Sequence, residues 1–174
     1  MNKIIILILL LLFSNNLYAI DLRGEFYQGN LIVGKTQIKN KVFIDGKKIK
    51  VSNDGFFVFG LSKNREKDVV IEVFKNNVSN KITKKIFKKL YKIQKINGLP
   101  KKQVTPPKEF YERIKKDNKL ITKARNINSG LVFFTDKFKA PIDNAIITGV
   151  YGSQRILNGI PKSPHYGLDF AAKE

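Results

Sequence analysis

Val42-Phe43-Ile44-Asp45-Gly46-Lys47-Lys48-Ile49-Lys50-Val51 reads as two short strands around one tight turn. β-branched and aromatic residues flank an Asp-Gly pair, and that dipeptide suits the two-residue hairpin in which both central residues take positive φ. The chain continues Ser52-Asn53-Asp54-Gly55-Phe56-Phe57-Val58-Phe59-Gly60-Leu61, a second turn followed by a third apolar run. On either side of these turns, residues 25–34 read as a strand with a glycine break, and residues 69–74 as another β-branched and aromatic strand. Short strands with turns at such intervals predict a mainly β chain whose residues 20–98 form a small sandwich-like domain.

Residues 81–96 satisfy two periods. Ile82, Ile86, Leu90 and Ile93 fit a basic amphipathic helix, which could lie on an anionic membrane surface. Tyr91-Lys92-Ile93-Gln94 alternates as a strand does. Residues 99–107 contain three prolines and read as a linker. Thr105 is placed to cap a helix whose first turn holds Pro106 and Pro107, running to Arg125 with basic residues near its end. Phe110, Ile114, Ile121 and Ala124 form a stripe expected to pack on a neighbour, and 126–130 form a loop. Linker and helix thus occupy 99–130. Residues 138–141 and 146–151 read as the opening strands of a further antiparallel β domain covering 131–174.

Composition narrows the compartment. The chain has no cysteine, which excludes disulfides and thiolate metal sites. Lys3, the ten-residue apolar run from Ile4 to Phe13 and the small-residue stretch ending at Ala19 have the order of a secretory signal peptide, residues 1–19. Ten residues span roughly 15 Å as a helix, about half a bilayer core, so no transmembrane helix is expected after cleavage. The mature chain is therefore expected to be exported, to a periplasm or cell envelope. Lys and Arg number 33 against 14 acidic residues, a net charge of +19. Residues 75–125 alone hold 17 basic and 3 acidic side chains. Such an excess suits an anionic partner. Export argues against nucleic acid and favours an anionic envelope surface. Joint richness in Lys, Ile and Asn also fits drift toward AT-rich codons, in which case many lysines only solvate a surface.

The chemistry is concentrated in residues 149–174, GVYGSQRILNGIPKSPHYGLDFAAKE, which include the only histidine, His165, four residues before Asp169. A neutral imidazole and a carboxylate are both zinc ligands, and a catalytic zinc usually has three protein ligands and an open position. On a flat strand positions i and i+4 lie about 13 Å apart. Joint ligation thus requires a bend, for which Gly167 offers unusual dihedrals. The pair alone also reads as an ordinary histidine near an unrelated aspartate. Gly152-Ser153 and Asn158-Gly159 read as turns.

The run Tyr151-Gly152-Ser153-Gln154-Arg155-Ile156-Leu157-Asn158-Gly159, with Ser163-Pro164-His165-Tyr166-Gly167-Leu168-Asp169-Phe170-Ala171-Ala172, closely resembles the start of the M23 peptidase domain of the lysostaphin type. In that family an aromatic-Gly-x-x-Arg turn precedes an H-x-x-x-D motif, and every position of both is matched here. The resemblance implies a zinc metallopeptidase that cuts peptide bonds of bacterial peptidoglycan, with His165 and Asp169 as metal ligands and Arg155 lining the substrate groove. It implies that the third ligand and the general base come from a downstream H-x-H motif, so no catalytic base is expected within these residues. They would hold about the first third of the catalytic domain and show little or no activity alone. Upstream segments of exported relatives also favour the strand reading of 81–96. Two other readings stand beside the enzyme: a non-catalytic activator of other wall hydrolases, and a basic module that binds the envelope through residues 20–130.

Overall fold

The computed structural model describes residues 20–76, 78–136 and 138–172. The segment read as a signal peptide lies outside the described residues. The chain divides into two units, one of residues 20–89 with 132–136 and one of 90–131 with 138–172.

In the first unit β1 (Asp21–Arg23), β2 (Leu31–Lys35) and β5 (Phe56–Gly60) form one antiparallel sheet in the order β1-β2-β5. A second antiparallel sheet runs β4-β3-β6-β7, from β3 (Lys41–Ile44), β4 (Lys47–Ile49), β6 (Val69–Lys75) and β7 (Val78–Lys84). The expected hairpin joins β3 to β4, with Asp45 at φ 51° and Gly46 at φ 76°, the two positive angles that this turn needs. Alternate residues of β6 point inward, so Val69, Ile71 and Val73 are buried. They share one apolar cluster with Val42 of their own sheet and with Ile32, Phe57 and Phe59 of the other. Two sheets closing on one core make the sandwich-like domain that the sequence predicts. Each such side chain stabilises the fold by roughly 1.5–3 kcal/mol through the apolar surface it removes from water.

Two hydrogen-bonding groups hold the rim. The Arg65 guanidinium donates to Asp45 Oδ2 at 2.7 Å and Oδ1 at 3.0 Å, and to the carbonyls of Lys67 and Asp68. Asp45 also accepts from the Val70 amide at 3.0 Å. The Arg65 bond, helped by the Val70 bond, holds the Asp45 carboxyl below its ordinary range despite some desolvation. Buried Gln28 donates to Arg65 O at 2.7 Å and accepts from Lys89 N at 3.2 Å.

Some details depart from the sequence reading. Residues 25–30 are not strand: the chain turns at Gly29 (φ 80°), and β2 starts at Leu31. Residues 81–96 contain no helix; they complete β7, bridge Tyr27 at Phe87 and end in β8 (Ile93–Ile96). The strand preference is thus the one realised.

The second unit contains β8, the single turn α1 (Lys101–Val104), a 3-10 turn at Lys108–Phe110, the helix α2 (Tyr111–Arg125) and four strands. Thr105 does not cap α2; it is the extended C-cap of α1, at φ −131° and ψ 124°. A residue before proline is driven out of the helical region, and Pro106 and Pro107 follow in succession. Helical turns therefore resume only at Lys108, and Phe110 caps α2 without a side-chain bond. Lys123 and Arg125 lie in its last turn as expected, but no residue of α2 is buried. The strands are β9 (Ile146–Gly149), β10 (Gln154–Leu157), β11 (Ile160–Pro161) and β12 (Asp169–Ala171). Residues 138–141 form no strand: Pro141 has no amide to donate to a ladder. β8 pairs parallel with β10, β11 antiparallel with β10, and β12 antiparallel with β9. No helix among the described residues is long and apolar enough to cross a membrane.

Candidate metal-binding pair and its groove

Val150-Tyr151-Gly152-Ser153 makes a tight turn. Ser153 returns its amide to Val150 O at 3.2 Å and its hydroxyl to the same oxygen at 2.8 Å. Gly152 sits at φ 83°, and a Cβ there would lie 2.1 Å from the Tyr91 ring. Both the turn and the ring therefore require glycine. The turn holds the histidine by its backbone. Gly152 N donates to His165 O at 2.7 Å, and His165 N donates to Ser153 O at 2.8 Å. The aromatic-Gly-x-x-Arg segment is thus the mount for His165, which lies well beyond it along the chain.

Asp169 opens β12 opposite Gly149, the last residue of β9, with a register shift between Asp169 and Phe170. The chain bends between His165 and Asp169, and His165 Nε2 comes within 2.9 Å of Asp169 Oδ1. The bend does not use the dihedral freedom assigned to Gly167, which has no positive φ. Instead the imidazole folds back, placing Nδ1 2.7 Å from Gly167 O.

That carbonyl can only accept, so the proton belongs on Nδ1. A neutral imidazole then directs its Nε2 lone pair at a carboxylate oxygen. Two acceptors face each other, an arrangement that a cation or a further proton relieves. A ligating histidine whose other nitrogen donates to a backbone carbonyl is the usual second contact of a metal site. The donors therefore fit two positions of a zinc shell. Among the described residues no group of three His, Cys, Asp or Glu side chains gathers, so the third position is not supplied there.

The pair borders an open groove of about 730 Å3 that is lined by β8, β9, β10 and the 162–166 loop. Arg155, exposed on β10, lines this groove. Tyr151 and Tyr166 meet edge to face, with centroids 6.1 Å apart. Tyr91 behind the turn is held above its ordinary phenol range, by burial first and by Tyr151 second. Asn158 is confirmed as a turn residue, at φ 48° before Gly159 at 79°. Its side chain also donates to Leu99 O at 2.7 Å and accepts from Leu99 N at 3.1 Å, docking the linker on the hairpin.

Sequence reasoning missed Gly149, Tyr91, Lys92 and Gln94. Of these only Gly149 carried a signal, as a glycine ending a strand beside the motif. The others enter through the β8–β10 pairing, which nothing local announces. The chain matches no family model and no curated protein.

Proposed function

We propose that this chain carries part of the active site of an exported zinc metalloendopeptidase that hydrolyses peptide cross-links of bacterial peptidoglycan. The observation that supports the reading is the geometry at the lone histidine: Nδ1 tied to Gly167 O, and Nε2 turned to Asp169 Oδ1 at 2.9 Å. The resemblance of residues 151–172 to the opening of the lysostaphin-type peptidase domain supplies the substrate class. The leader-like residues 1–19 and the +19 charge suit an exported protein at an anionic wall.

In this reading His165 and Asp169 hold zinc, with a third ligand and a base from histidines outside these residues. Bound zinc supplies Lewis acidity toward a peptide carbonyl and a water. The Gly167 carbonyl fixes the imidazole tautomer. The Val150–Ser153 turn fixes the imidazole position, and Arg155 faces the peptide in the groove.

The test is release of peptides from purified sacculi by the complete gene product with zinc. Release that is lost in both His165→Ala and Asp169→Asn supports the proposal. No release, together with stimulation of a separate wall hydrolase, would favour the activator reading instead.

A further inference from the structure

β8 and β10 run parallel in register, with Ile93 opposite Gln154 and Gln94 opposite Arg155. Paired residues of neighbouring strands share a face, and side chains alternate along each strand. Gln94 and Arg155 are therefore on one face. So are Lys92, two residues before Gln94, and Ser153 and Leu157 on either side of Arg155. All five line the groove that holds His165 and Asp169. One wall of the groove thus comes from the segment before α1, far upstream of the motif.

The charges on this face are lopsided. Lys92 and Arg155 are both exposed, and neither forms an ion pair among the described residues. Lys162 also borders the groove, but its ammonium is bonded to Val104 O. Among the described residues the only lining carboxylate is Asp169, which is turned to His165. Two cations along a strand-lined groove fit an extended chain that carries negative charge beside its backbone. Guanidinium matches a carboxylate with two parallel bonds.

We propose that this groove selects peptides with a free carboxylate, which Lys92 and Arg155 bind from the two strands while Gln94 offers an amide to the peptide backbone. This rests on the groove being the peptide site described above, and it adds the substrate class and two upstream residues.

The experiment is fluorescence anisotropy with a labelled Ala/Glu hexapeptide and its fully amidated counterpart. It uses the whole chain in EDTA, so neither metal nor hydrolysis is read. The acidic peptide is expected to bind at least about tenfold more tightly. Lys92→Gln and Arg155→Gln should each remove about fivefold to tenfold of that, the loss of one charge-assisted bond. Lys116→Gln on α2, outside the groove, should change nothing, and circular dichroism should match for all variants. Equal binding of the two peptides overturns the proposal. So does an equal loss in Lys116→Gln, which would mean that the diffuse +19 charge does the binding, and so does full competition by equimolar inorganic phosphate. The peptidase reading fails separately: carboxylate-selective binding with no cleavage by the zinc-loaded complete protein leaves this inference standing, and cleavage without selectivity does the reverse.

Discussion

The Asp169 carboxylate occupies the space that a side chain at Gly149 would fill: a Cβ on Gly149 would lie 2.4 Å from Asp169 Oδ2. The two residues face each other across the β9–β12 ladder. A methyl group there must push the carboxylate off His165, while strand geometry itself tolerates alanine well. Gly149→Ala is therefore expected to leave thermal stability within about 1 kcal/mol of the parent. It should weaken zinc binding by about 10–100-fold, as loss of a positioning contact does. Competition with a chromophoric chelator measures the second, and calorimetry the first. Unchanged zinc affinity would mean that Asp169 is not a ligand.

Because His165 is the only histidine, its ring gives a single set of imidazole signals in 15N NMR. Adding zinc is expected to move the Nε2 resonance and to keep the proton on Nδ1, held by Gly167 O. A shift at Nδ1 instead would mean that the metal displaces the backbone contact and that the geometry described for the pair does not persist. Asp169→Asn should abolish the zinc-dependent shift while leaving the Nδ1 proton in place.

The sequence was most legible where one dipeptide decides the backbone. Asp45-Gly46 and Asn158-Gly159 were both read as turns, and both sit at paired positive φ. Residues 69–74, read as a strand, lie in β6, where Val69, Ile71 and Val73 are buried. The reading failed at Thr105, where a good capping residue was overruled by the two prolines after it. It failed also at 138–141, where strand-like residues find no partner. In the candidate site, His165 and Asp169 stand out in the sequence only as a histidine and an aspartate four residues apart, and the structure brings their side chains within 2.9 Å. Their mount was not, since Gly149, Tyr91 and Lys92 reach the site only through strand pairing, and pairing between segments so far apart in the chain leaves no local trace.

Asn158 does two jobs that substitution can separate. Its φ of 48° suits a turn, and its amide holds both backbone groups of Leu99. Asn158→Gly keeps the turn and loses the docking. Asn158→Ala loses both. Asn158→Gly is expected to cost about 1–2 kcal/mol for two exposed bonds to backbone groups, and Asn158→Ala about 1 kcal/mol more for the strained φ. Urea unfolding followed by circular dichroism gives both values. An alanine variant as stable as the glycine variant would show that the turn angle carries no strain.

Acid should loosen the first unit through Asp45. Its carboxyl is held below the usual 3.8, first by the Arg65 bond, so the folded state binds that proton less readily than the unfolded chain does. The stabilisation is then complete above about pH 4–5 and is lost as pH falls through the lowered folded value. Asp45 is partly exposed, its side chain at 40%, so solvent screening keeps its share to about 1 kcal/mol. Asp45→Asn should flatten the decline in melting temperature between about pH 5 and pH 2. Arg65→Ala should lower stability at neutral pH by a further 1–2 kcal/mol or so, because the Lys67 and Asp68 carbonyls also lose their donor. Parent and Asp45→Asn profiles of identical slope across that range would show that another carboxylate governs the acid transition.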